Sequence, residues 1–191
     1  MDIRVKKTRR SIITAFMELR AHKPLEKITV KELCEKAEIN KSTFYTHFTD
    51  IYHLSDQLEQ ELIQQVVDNL PHPQYVVEHP KEFTQELFLA FYAQSARIDK
   101  LFSGPQRGNF VVKLHAALKE RIFQAYPQYE DDLFFNVYLN FAIFGGYYAM
   151  CEGKARDTAG TIAAIAQITE HCSQGLVEAL RRQKPDSSGP V

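Results

Sequence analysis

Apolar residues in this chain recur at the three-and-four spacing of amphipathic helices, and prolines and glycines punctuate the pattern. Ile12, Phe16 and Leu19 form a stripe on a first predicted helix, Ile3 to His22, which Pro24 closes. Thr29-x-x-Glu32 is a capping box, so a second helix starts at Val30; Val30, Leu33, Cys34 and Ala37 mark its buried face. Glu38-Ile39-Asn40 is long enough only for a turn. Asn40 then caps a third helix, Lys41 to His47, with Phe44 and Phe48 on one face. Leu25 and Ile28 seal this small three-helix head. Asp50 caps a long helix to about Leu70, with Leu54, Leu58 and Leu62 in step and Pro71 and Pro73 at its end. After a loop to His79, Pro80 opens a helix bearing Phe83, Leu87, Phe88, Phe91 and Tyr92, expected to reach Arg97. Ser103-Gly104-Pro105 breaks the chain. Further helices are predicted over Phe110 to Tyr126, Leu133 to Cys151 and Thr158 to Arg182. The fold class is all-α: a head over residues 1–49, a helical regulatory and dimerisation domain over 50–183, and a disordered tail over 184–191.

The third helix carries the candidate chemistry. With Phe44 and Phe48 turned inward, Lys41, Ser42, Thr43, Tyr45, Thr46 and His47 point outward. A cation, hydroxyls, an aromatic and an imidazole on a helix of about two turns make a surface that can read a DNA major groove and hold phosphates. Charge supports this. Residues 1–50 hold eleven Lys or Arg and seven Asp or Glu, which puts +4 on the head and -5 on the rest of a chain whose net charge is -1. Lys6, Lys7, Arg9 and Arg10 crowd the first helix as a phosphate-facing end.

The stretch Ile28-Thr29-Val30, Leu33-Cys34, Ala37 and Lys41-Ser42-Thr43-Phe44-Tyr45-Thr46-His47-Phe48 resembles the DNA-binding helix-turn-helix of the TetR/AcrR family of bacterial transcriptional regulators. The likeness runs from Ile12 to Leu54, about the first quarter of the chain. It implies a cytoplasmic homodimer that binds a near-palindromic double-stranded operator, most often as a repressor that an effector releases. It also implies that the last two helices form the dimer. Thr29, Lys41, Ser42, Thr43, Tyr45, Thr46 and His47 are then the DNA-binding residues, with Thr29 bringing its helix to a phosphate. Two positions depart from the family pattern. Glu38 stands where glycine is usual in the turn, and Ile51 stands where lysine is usual at the start of the next helix.

The body offers weaker signals. Leu133 to Cys151 contains no charged residue, which suggests a membrane span by length. Asn136, Asn140, Tyr138, Tyr147, Tyr148 and Gly145-Gly146 argue instead for a helix buried on several sides, one of them against a second copy. Phe144, Tyr148, Ile165, Thr169, Cys172 and Leu176 are the candidate dimer residues. Aromatics gathered in the body, Phe83, Phe91, Tyr92, Phe123, Tyr126, Tyr138 and Phe141, are candidates for an apolar effector pocket, although plain core is their commoner use. No phosphate loop, HExxH or GxSxG element occurs, so no enzyme, cofactor or metal is expected. The seven histidines are scattered, and a zinc site from His53, His72, His79 and His115 is the less favoured reading. Cys34, Cys151 and Cys172 read as reduced core thiols in a cytoplasmic protein, and no signal peptide is apparent. The competing functions are a regulator or activator controlled by a protein partner, and an all-α ligand carrier or enzyme with a structural head.

Overall fold

A computed structural model describes residues 3–72, 74–153 and 156–183, the last eight as backbone alone. The expected disordered tail, 184–191, lies outside the described residues. The fold is all-α: ten helices and three 3-10 turns among the described residues, and no strand. They are α1 (Ile3–Arg20), α2 (Val30–Lys36), α3 (Lys41–Tyr45), α4 (Ile51–Asp68), α5 (Tyr75–Glu78), α6 (Pro80–Ala93), α7 (Ser95–Leu101), α8 (Arg107–Ala125), α9 (Leu133–Gly153) and α10 (Thr158–Gln183). Among these helices none is long and apolar enough to cross a membrane.

The expected helix from Pro80 to Arg97 is two. α6 stops at Ala93, and the Gln94 carbonyl accepts from the N–H groups of Arg97 and Ile98 to begin α7. The expected loop before it contains the short helix α5.

Two compact units result. The first is Met1–Ile63 with Gln94–Phe110, the second Gln64–Ala93 with Val111–Val191. The first therefore takes in much of α4 and a returning segment, beyond the 49-residue head expected from the sequence. Ile12, Phe16, Leu33, Phe44, Leu54 and Leu62 have no exposed surface and form its core. Arg20 holds the returning segment. Its side chain is buried, and its guanidinium donates to Lys23 O (2.9 Å), Leu101 O (3.2 Å) and Ser103 Oγ (2.7 Å). Burial lowers the Arg20 pKa, and the buried Glu59 carboxylate opposes that shift. Glu59 is itself held by the Ser55 hydroxyl at 2.8 Å.

In the second unit α10 packs on α6 and α9. Phe88, Met150 and Ile165 form a buried cluster, with Tyr92 and Ile162 against it. Gly146 faces α10: a Cβ there would stand in ordinary contact, 3.4 Å from Ile165 Cγ2. The Tyr126 hydroxyl donates to Gln74 O (3.0 Å) and Glu78 Oε1 (3.2 Å), which ties the end of α8 to α5. Desolvation, then that carboxylate, push the phenol up to about 12.

Two stability outcomes follow from the first unit. Glu38 occupies a left-handed backbone conformation, φ 55°, at the end of α2. That costs a non-glycine residue ~1–2 kcal/mol, against ~0.5–1 kcal/mol of extra chain entropy lost by glycine. Glu38→Gly should therefore stabilise the protein by roughly 0.5–1 kcal/mol, seen as a higher urea midpoint; a lower midpoint would mean that the glutamate side chain offsets its strain. Arg20→Ala should cost about 2–3 kcal/mol, because it strips three hydrogen bonds and takes the guanidinium donor from the buried contact with Leu101 O. Hydrogen exchange that stays slow in residues 95–103 of that variant would show that the arginine does not hold them.

Candidate nucleic-acid interface

A five-residue helix makes few internal hydrogen bonds and cannot sustain itself in water. α3 is fixed from outside at both ends and underneath. At its start the Asn40 carboxamide oxygen accepts three hydrogen bonds, from the Thr43 N–H, the Thr43 hydroxyl and the Ser42 hydroxyl, each at 2.7 Å. At its end the coil tightens. Thr46 N–H donates to both Ser42 O and Thr43 O, and the Thr46 hydroxyl donates to Thr43 O at 2.7 Å. His47, expected inside the helix, lies in this closing turn, where its N–H donates to Phe44 O. Underneath, Phe44 has no exposed surface and Phe48 almost none; their ring centroids are 5.8 Å apart.

The preceding turn is a Schellman closure of α2. Ile39 N–H donates to Cys34 O at 3.0 Å and Glu38 N–H to Glu35 O at 3.3 Å, with Glu38 left-handed between them. Thr29 caps the other end of α2, its hydroxyl accepting from Glu32 N–H at 3.2 Å, as the capping box implies. Asp50 caps α4 through His53 N–H at 2.7 Å, and His53 Nδ1 accepts from Thr49 N–H at 3.1 Å. The segment after α3 is thereby as tightly held as the segment before it.

This leaves Thr29, Lys41, Ser42, Tyr45 and Thr46 exposed, with Thr43 and His47 half-buried. The structure brings six of these seven residues onto the outer side of α3 and its closing turn, over the Phe44–Phe48 base; Thr29 stands at the start of α2. Lys41 has no carboxylate partner among the described residues. Other cations of the head are paired: Arg9 with Glu61, Lys23 with Glu32, and Lys36 with Glu18 at 2.7 Å. The Lys36 ammonium holds the exposed Glu18 carboxyl below its ordinary range. Arg9 also sits 6.0 Å from the Phe48 ring centre. Cys34 is a buried thiol pushed up by burial, which suits packing rather than reactivity, whereas Cys151 and Cys172, expected in the core, are exposed.

Ile51, where the family pattern has lysine, is buried in the first unit. Its neighbour Tyr52 is more than half exposed on the first turn of α4, with Tyr45 the second large exposed aromatic of this segment. Sequence reasoning passed over Tyr52. The signal was an aromatic at the position just after a buried first-turn isoleucine.

The body candidates are dispersed. Phe83 is buried, and Phe91 and Tyr92 are half-buried with the Tyr92 hydroxyl 3.1 Å from Met150 Sδ. Phe123 lies between Lys119 and Phe135, and Tyr126 is bound to α5. Tyr138 and Phe141 line a different feature, a groove of about 200 Å3 between α9 and α10. Of the candidate dimer residues, Tyr148 and Cys172 are exposed. Ile165 and Thr169 are buried, and Phe144 packs on His115 with centroids 5.0 Å apart. The Leu176 side chain lies outside the described residues. Among the described residues no grouping of three or more His, Cys, Asp or Glu could hold a metal ion.

Comparison with known proteins adds one finding. Residues 12–58, from α1 to the first half of α4, match the family model described as bacterial regulatory proteins, tetR family. No curated protein and no solved structure matches the chain.

Asn40→Ala should cost about 1–2 kcal/mol, because one oxygen serves three donors, and the loss should fall on α3. Hydrogen exchange of Phe44–Phe48 amides should quicken more than that of Leu54–Leu62; equal acceleration would mean that the cap supports the whole unit rather than the helix.

Proposed function

The chain belongs, through residues 12–58, to the tetR family of bacterial regulatory proteins, and we propose that it is a cytoplasmic repressor that binds a near-palindromic operator as a homodimer and lets go when an effector binds. Its head is that of a DNA-binding transcriptional regulator. The observation that carries the reading is α3 itself: capped by Asn40, seated on Phe44 and Phe48, and bearing Lys41, Ser42, Tyr45 and Thr46 on its solvent side. Such a helix enters a major groove, where Tyr45 and the hydroxyls reach base edges and Lys41 and Thr29 reach phosphates. Two heads then read half-sites about 34 Å apart.

The dimer rests on the last two helices. α9 carries no charge from Leu133 to Cys151 yet exposes several large apolar side chains, a surface that suits a second copy. An effector acts in the second unit. It must favour the DNA-free state by binding it more tightly; equal affinity for both states would shift nothing. Because His53 of α4, with Asp50 as the cap before it, holds the segment that follows α3, α4 is the element through which such a preference reaches the reading helix. The chain acts as a regulator rather than an enzyme.

Tyr45→Ala should weaken binding to DNA flanking the protein's own gene at least tenfold, about 1.4 kcal/mol, with an unchanged melting temperature. Fluorescence anisotropy at fixed salt measures it. Wild-type affinity in the folded variant would remove α3 from the reading role.

A further inference from the structure

The groove between α9 and α10 is lined by apolar groups, among them Tyr138, Phe141, Gly145, Ala149, Ile165 and Ile168. At about 200 Å3 it is smaller than the ~300–1,000 Å3 of ordinary ligand pockets. It is nearer the ~150 Å3 cavity that accepts a single benzene ring. Two further observations say what fills it. Leu133, Phe134, Val137, Phe141, Tyr148 and Ile168 stand half to three-quarters exposed on these same two helices. At ~150–250 Å2 for a large side chain, they present on the order of 600 Å2 of apolar surface. That is at the upper limit for the largest patch on a monomer, ~300–600 Å2, and most of the ~800 Å2 each partner contributes to a standard interface.

Gly145 is the second observation. A glycine inside a helix weakens it relative to alanine. A Cβ at Gly146 would rest in ordinary contact with Ile165 of the same chain. A Cβ at Gly145 meets nothing within 4 Å, so one chain supplies no reason for that glycine. The open space adjoins the groove, and the exposed Phe141 ring stands one helical turn away on the same side.

We infer that the groove is a socket for the Phe141 ring of a second copy, so that knob and hole repeat across a twofold axis. The inference rests on the dimer reading and adds its register. An axis crossing two antiparallel α9 helices at the level of residue 143 places position 141 of each opposite position 145 of the other. Such an isologous contact closes on itself and buries both rings at once. No charge on α9 between Leu133 and Cys151 opposes it. The groove is accordingly full in the dimer and is not the effector site.

Sedimentation equilibrium of the full chain tests this, with circular dichroism as the folding control. Gly145→Leu and Phe141→Ala should each raise the dimer dissociation constant at least tenfold while helicity holds, since Gly145 has open space around it in one chain. The double variant should dimerise more tightly than either single variant, because the new leucine occupies the space the ring vacates. A wild-type chain that stays monomeric at all concentrations would overturn the dimer reading and the socket with it. A dimer whose dissociation constant ignores both substitutions would overturn the socket alone. So would a wild-type dimer that binds 1-anilinonaphthalene-8-sulfonate at one site per chain and loses that site in Gly145→Leu without loss of dimer, for the groove would then be an open ligand site.

Discussion

The proposed reading surface depends on burial of two phenylalanines beneath a helix too short to exist alone. Nucleating a helix fixes several residues for one hydrogen bond, and α3 has only five residues over which to recover that cost. Burying Phe44 and Phe48 contributes roughly 1.5–3 kcal/mol each, and the Asn40 cap about 1 kcal/mol more. Together these exceed what helix propensity could supply. The same geometry decides which residues can meet DNA. With positions 44 and 48 inward, 41, 42, 45 and 46 must face out, so packing and recognition are two sides of one constraint.

Charge is used more selectively than its sum suggests. The head carries +4 by count, yet Arg20 is buried and Arg9, Lys23 and Lys36 lie against carboxylates. Paired surface cations release fewer counterions on meeting phosphate than free ones. In the proposed reading, exposed Lys41 on α3, and Lys6, Lys7 and Arg10 on α1, are therefore the cations left to meet phosphate. Arg20 does a different task. It satisfies the carbonyls of Lys23, just past α1, and of Leu101, the last residue of α7, and so holds a segment 81 residues later in the chain within the first unit.

Local rules were legible in the sequence where one short-range interaction decides the outcome. Thr29, Asn40 and Asp50 cap as their side chains imply, and Glu38 adopts the left-handed backbone that its place in the turn demands. The family match over residues 12–58 covers the same region. What could not be read depends on tertiary partners. Nothing in the run Phe83 to Arg97 signals that the helix divides at Gln94, because no proline or glycine marks it. Nothing marks Arg20 as buried when five other basic residues share its helix. The aromatics of the body share helical spacing, but they fall into separate clusters around α5, α8 and α10, since spacing fixes a face and not the neighbour that covers it.

α9 shows how far composition alone carries. A run without charge is compatible with lipid, with a protein core or with another subunit, and length does not separate these. Exposure does. In this chain Phe135, Leu139, Ile143 and Met150 take the inward side of α9, while Phe134, Val137, Phe141 and Tyr148 take the outward side. A helix apolar on both sides of which only one is covered has a second surface still to bury. Lipid would accept the outer residues but not Asn136 or the exposed Asn140 on the same helix. A partner helix that leaves those asparagines at its wet margin accepts both, which is the ground for the proposed dimer through this charge-free helix.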